Sequence, residues 1–181
     1  MASLRLAAAS CILGPMTADE LIAALELQPH PEGGWYRETW RAAAAQGERA
    51  AASAVYYVIQ PGQRSHWNRV DAHEIWLWHA GDAVDVSIAD SDTGPARTVR
   101  LGGQATAGDH PQLIIPAGQW QSAEPVPGGT AGYALISCIV APAFEFAGFE
   151  LAAPGWAPGQ AKACTPSGQR GPNAWPSIRW R

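Results

Sequence analysis

The chain has 181 residues, 47% of them apolar, and a formal net charge of −4. That length and apolar content suit one domain with a real core and set aside disordered or fibrous readings. Its 12 Lys and Arg are scattered singly, so there is no basic stripe for a phosphate backbone, and neither nucleic acid nor a membrane surface is an expected partner.

Cys11, Cys138 and Cys164 are odd in number, and none forms a CxxC pair. This suits a reducing, cytoplasmic compartment better than a disulfide framework. Cys138 lies in the apolar run "YALISCIV" and reads as a small buried hydrophobe. The opening "MASLRLAAASCILGPM" has too short an apolar stretch and too little positive charge for a secretory leader; "MTADEL" also reads like a fresh N-terminus, so Met1 and Met16 both stand as starts. We take residues 1–16 as an extension, 17–152 as the domain and 153–181 as a tail.

"TADELIAALEL" carries a capping box, Thr17 with Glu20 three residues on, and Leu21, Ile22 and Leu25 at helical spacing. It predicts a short helix to about Leu27, stopped by Pro29 and Pro31. From there short alternating segments predict strands at Trp35 to Trp40, Ser53 to Gln60, Ser65 to Val70, His73 to His79 and Ala83 to Asp90. Others follow at Arg97 to Leu101, Gln112 to Pro116, Trp120 to Ala123, Tyr133 to Val140 and Phe144 to Leu151. Turn chemistry in "PGQ", "AGD", "SDTGP", "PAG" and "PVPGG" separates them. About ten short strands at this spacing predict an all-β sandwich or barrel with one N-terminal helix. Beyond Ala152 the Pro/Gly-rich composition reads as a loose tail, in which Trp156, Trp175 and Trp180 are reasons for some of it to drape over the barrel.

Side chains alternate along a strand, so His66 and Asn68 share one face, as do Glu74, Trp76 and Trp78 on the next strand. With "VDAH" as a hairpin turn, His66, Asn68 and Glu74 converge inside, and Gln121, after "PAG", takes a fourth inward position. His73 and His79 fall on the other face. Arg37 alternates with Trp35 and Thr39; turned into an apolar barrel, it needs an anionic partner from the protein or a ligand. Tyr57, Ser65 and Gln112 add hydrogen bonds, while Trp76 and Trp120 line the interior. Glu74, partly desolvated, suits acid–base work near neutral pH; its alternative is a structural ion pair with Arg37 or Arg69.

The pair "GxxxHxNxxxxxEIWLWHAG" and "PAGxxQ" resembles the two motifs of the cupin superfamily: a glycine, HxH, Glu and Gly, then PxG and a further His. "HPEGGWYRETW", "SAVYYVI", "SHWNRVDAHEIWLWHAGD", "LIIPAGQWQSA" and "SCIVAPAFEFAGFELA" are similar to the signatures of a group of single-domain cupins catalogued as a domain of unknown function. The resemblance implies a cupin jelly-roll barrel (a double-stranded β-helix), a homodimer and an internal small-molecule pocket. Asn68 stands where cupins place the second His, and Gln121 where the last His is expected. Amide oxygens are poor ligands for divalent transition metals, so His66, Asn68, Glu74 and Gln121 imply no certain cofactor and at most a weakly bound divalent metal.

The expected activity is isomerase- or epimerase-like proton transfer on a sugar or sugar phosphate. Glu74 and His66 exchange the proton, Arg37 holds an anionic group, and Asn68 and Gln121 orient the substrate. The alternatives are a metabolite-binding cupin without chemistry and a metal-dependent oxygenase.

Overall fold

A computed structural model describes residues 16–160. The helix α1 (Ala18–Ala24) starts on the expected capping box: the Thr17 side chain accepts from the Glu20 N–H, and the Glu20 carboxylate accepts from the Thr17 N–H at 2.8 Å. It ends earlier than the apolar spacing predicts. Leu25 is the C-cap, and Glu26 takes a left-handed φ of 54°. This turns Leu27 back under the helix, where it packs with Leu21 and Val58.

Eleven strands follow: β1 (Gln28–Pro29), β2 (Trp35–Arg41), β3 (Ser53–Ile59), β4 (Ser65–Val70), β5 (His73–Gly81) and β6 (Val84–Ala89), then β7 (Arg97–Leu101), β8 (Gln112–Ile115), β9 (Trp120–Pro125), β10 (Ala134–Ala141) and β11 (Phe149–Leu151). The two-residue β1 is too short to show as an alternating pattern. The strand expected from Phe144 survives only in its last three residues, because Phe146–Gly148 forms a 3-10 turn.

The strands form two antiparallel sheets, ordered β1-β2-β3-β10-β5-β8 and β11-β4-β9-β6-β7. From β3 to β6 the chain changes sheet at every connection, and again from β7 to β11, which is the jelly-roll path. "VDAH" is therefore not a hairpin turn within one sheet. It carries the chain from β4 in one sheet to β5 in the other, so Asn68 and Glu74 face each other across the interior.

The core lies between the sheets. Tyr57, Trp76, Ile136 and Cys138 from the first meet Val84, Val86, Ile88, Leu101 and Ala123 from the second. The outer face of the first sheet is covered at one end by α1, where Leu21, Ile22 and the cap residue Leu25 cluster with Trp35 of β2 and Tyr56 of β3. Beyond the helix, Ile139, Ile75 and Ile114 stand in register across that face, and Ile114 is 56% exposed.

The first residues after β11 lie along the second sheet. Ala152 N–H donates to the Trp67 carbonyl and Gly159 N–H to that of Asp92. Trp156 packs edge-on against Trp67 and at 4.4 Å from the Trp120 ring. Trp175 and Trp180, like residues 1–15, lie outside the described residues.

Candidate active site

Between the sheets, at the end where β2 and the segment before β11 meet, lies a cavity of about 760 Å³. Asn68, Glu74, Gln121, Tyr57, Cys138 and Glu32 supply its polar and buried end. Val55, Val70, Val140, Tyr36, Phe144 and Phe149 form its walls. Trp40 and Phe146, 54% and 43% exposed, mark its mouth.

A bulge decides which residues of β4 face inward. Ser65 is opposite Ala123 but Asn68 is opposite Gln121, so three steps on β4 match two on β9. The extra residue breaks simple alternation. Ser65 and Asn68 are both buried, and His66 is exposed on the outside. This corrects the expectation that His66 and Asn68 share a face: His66 is neither in the cavity nor able to join a ligand set there.

Asn68, Glu74 and Gln121 do come together. Gln121 Nε2 donates to Glu74 Oε2 at 2.6 Å and to Asn68 Oδ1 at 3.2 Å. Asn68 Nδ2 donates to Ser65 Oγ at 3.3 Å and to the His66 carbonyl at 2.8 Å. Gln121 Oε1, in a residue only 3% exposed, has no partner among the described residues. Burial raises the Glu74 carboxyl to about 6, against the opposing pull of the Gln121 hydrogen bond, and the nearby Glu32 charge raises it further.

The imidazole of the cavity is His30, which the sequence reading did not single out. β1 and β2 form a narrow hairpin whose tip is "HPEGG", and the tip lies against β3 and the start of β4. There the Glu32 carbonyl accepts from the His66 N–H at 2.8 Å. Gly33 and Gly34 both have positive φ, 110° and 69°. A Cβ on Gly33 would run into the Arg64 carbonyl, and one on Gly34 would crowd the Val58 carbonyl and the Tyr57 hydroxyl. The glycine pair thus lets the tip approach β3 and β4 closely enough to bury His30 and Glu32.

The His30 ring sits edge-on to Tyr36 at 4.5 Å and is surrounded by Tyr57, Phe144, Phe146 and Phe149. Burial lowers its pKa to about 4, with Glu74 acting weakly in the other direction, so the ring is neutral at physiological pH. Its Nδ1 accepts from the Glu32 N–H at 3.3 Å, which puts the ring proton on Nε2. Glu32 accepts from Ser65 Oγ at 3.0 Å. Burial pushes its carboxyl up to about 7, although the Ser65 and Tyr57 hydroxyls hold it down. The Tyr57 hydroxyl itself donates to the Gly33 carbonyl at 2.7 Å.

Other expected site residues lie elsewhere. The alternation of Trp35, Arg37 and Thr39 is real at its start, but that face is the outer one: Tyr36 enters the core, and Arg37 pairs with Glu26 at 2.7 Å. Gln112 is exposed on the edge strand β8. Trp120 is buried on the outer face of β9, donating to Asp92 Oδ1 at 2.8 Å, with the Arg69 guanidinium 4.6 Å from its ring. Trp76 is buried in the core beneath the site, 5.9 Å from the Tyr57 ring. Glu74 pairs with neither Arg37 nor Arg69; Arg69 instead meets Glu150 and Asp92.

Of the four residues expected to hold a metal, the cavity brings together one carboxylate and two amides. Among the described residues no group of three or more His, Cys, Asp or Glu side chains is placed to hold a metal ion. That donor set does not fit a divalent transition metal, which favours imidazole or thiolate.

A family model described as "Cupin superfamily (DUF985)" matches residues 19–152. An X-ray structure of a Shewanella oneidensis protein is 34% identical, with a TM-score of 0.70, covering 76% of this chain and 85% of that one. A hypothetical protein from Leishmania major is 33% identical at a TM-score of 0.67, covering 75% and 86%. Oxalate decarboxylase from Bacillus subtilis shares the fold at a TM-score of 0.51 and 15% identity; 68% of this chain matches 29% of that one. No curated protein matches the sequence.

Proposed function

The chain belongs to the cupin superfamily, in the family DUF985, and we propose that it is an isomerase- or epimerase-like enzyme moving a proton on a small hydroxylated carbonyl compound of the sugar type. The observation that carries this reading is the buried Glu74 carboxyl facing the cavity, raised to about 6 and held by Gln121 at 2.6 Å. Such a group is ionised at neutral pH yet close enough to its pKa to accept and return a proton.

Glu32 takes the role that His66 was expected to fill. Burial raises both carboxyls, Glu32 to about 7 and Glu74 to about 6, so both stand close enough to neutral pH to give or take a proton. Two buried carboxyls with raised pKa values lining one cavity can serve as an acid–base pair. Glu74 removes the proton next to the substrate carbonyl, Glu32 supplies one to the developing oxyanion, and the aromatic walls keep bulk water out. The phosphate-bearing variant of the substrate loses support, because Arg37 is on the outer face. Arg41 at the mouth is held by both oxygens of Glu38 and by the Phe144 carbonyl.

Proton exchange with solvent tests this without knowledge of the product. In D2O, the protein is expected to exchange the proton adjacent to the carbonyl of at least one member of an aldose and ketose panel, followed by NMR. Glu74→Gln, nearly isosteric, should slow that exchange by about 10²-fold or more. Exchange at the wild-type rate in Glu74→Gln contradicts the assignment. Binding of panel members without any exchange favours a metabolite-binding cupin instead.

A further inference from the structure

We infer that the ligand of this cavity carries a protonated amine, seated at the buried end against Glu74 and Gln121, with its carbon skeleton against the aromatic wall. This deepens the reading of the cavity as the functional site and rests on it.

The first support is the direction of the hydrogen bonds. Both hydrogens of the Gln121 amide go to protein acceptors, Glu74 and Asn68. Both hydrogens of the Asn68 amide do likewise, to Ser65 and the His66 carbonyl. What these two amides leave for a ligand is acceptor capacity only. Gln121 lines the cavity, and its Oε1 is buried without a partner among the described residues, next to a carboxylate whose charge no cation among the described residues meets. A buried acceptor without a donor is unfavourable, and an ammonium group, with three donors and no acceptor, completes it.

The second support is charge. The cavity is lined by the carboxyls of Glu32, Glu38, Glu74 and Glu145 and by a single guanidinium, that of Arg41. Arg41 is already bound to Glu38 and to the Phe144 carbonyl. His30 is neutral. An anionic ligand would meet like charge with no free cation to offset it, whereas a cation relieves the repulsion between Glu32 and Glu74.

The third support is the wall. Phe144 and Phe149, 5.7 Å apart, and Tyr36 line the same cavity. Aromatic faces attract organic cations and accept the apolar body of a ring. A small metal ion gains nothing from such a wall; an organic amine uses both ends of the site.

The test is equilibrium binding of two matched pairs to the full chain near neutral pH: glucosamine against glucose, and 2-phenylethylamine against 2-phenylethanol. In at least one pair the amine is expected to bind about tenfold or more tightly than its neutral partner, and in Glu74→Gln that preference should fall to within about threefold. Circular dichroism checks that the variant is folded. Equal affinities within both pairs overturn the inference, as does an amine preference that survives Glu74→Gln. Amine binding without proton exchange leaves the inference standing and removes the acid–base reading. Exchange on neutral sugars with no preference for amines does the reverse.

Discussion

Glu32→Gln should leave stability nearly unchanged at pH 4.5 and raise it at pH 8, relative to wild type. The Glu32 carboxyl is buried, and its pKa is pushed up to about 7 in the folded protein, against about 4.3 in an unfolded chain. A carboxyl raised by folding favours the folded state below its unfolded pKa, and that advantage is lost as the pH rises through the folded value. By pH 8 the folded protein holds an ionised Glu32 with Glu74 as a like-charged neighbour. Glutamine keeps the acceptor for Ser65 Oγ and never ionises. The stability difference between variant and wild type should therefore grow by about 3 kcal/mol between the two pH values. In melting temperature that is roughly 6–12 °C for a domain of this size. Using the difference removes the opposite contribution of His30, whose lowered pKa makes stability fall as pH drops from about 6.5 toward about 4. Parallel melting curves, with the same difference at both pH values, would show that Glu32 is solvated.

Trp76→Ala should cost about 3–5 kcal/mol. Trp76 is 1% exposed, lies in register between Cys138 and Leu113, and meets the Tyr57 ring at 5.9 Å. Its removal empties the layer beneath the cavity and frees Tyr57, whose hydroxyl ties the "HPEGG" tip through the Gly33 carbonyl. The indole Nε1 lies near enough to Glu74 to hold that carboxyl down slightly, but it has no hydrogen-bond partner among the described residues. Trp76→Phe, which keeps most of the ring and drops an unpaired buried N–H, should cost less than about 1.5 kcal/mol. Urea unfolding of both variants checks the pair. A Trp76→Ala loss below about 1 kcal/mol contradicts the packing described.

The fold was legible because its signals are local. The Thr17 and Glu20 capping box, alternation in β3 and β5, and turn residues between short strands each mark an element by backbone chemistry alone. The motif order from "HPEGGWYRE" to "APAFEFAGFELA" carried the family. Part of the site was legible too: Glu74 on β5 faces inward as alternation reads, and Asn68 and Gln121, the latter placed by the "PAG" turn, join it there.

On β4, one extra residue at the bulge sends His66 outward while keeping Asn68 inside, and a period of two cannot show such an insertion. On β2 the period was right, but the choice between faces depends on where α1 packs, which is a tertiary fact. His30 and Glu32 sit in a turn, where no periodicity tells inside from outside. Their one local signal was an imidazole and a carboxyl flanking Pro31 just before two glycines. That pattern marks a backbone brought close to something, and here the neighbours are the Arg64 and Val58 carbonyls.

The central claim is that the cavity holds two desolvated carboxyls with raised pKa values. A 13C NMR titration of the glutamate side-chain carboxyls, with Glu32→Gln and Glu74→Gln for assignment, reads it directly. Two resonances should titrate well above the rest, near pH 7 for Glu32 and near pH 6 for Glu74. If every glutamate, including these two, titrates between about pH 4 and 5, both carboxyls are solvated and the proposed acid–base pair does not exist.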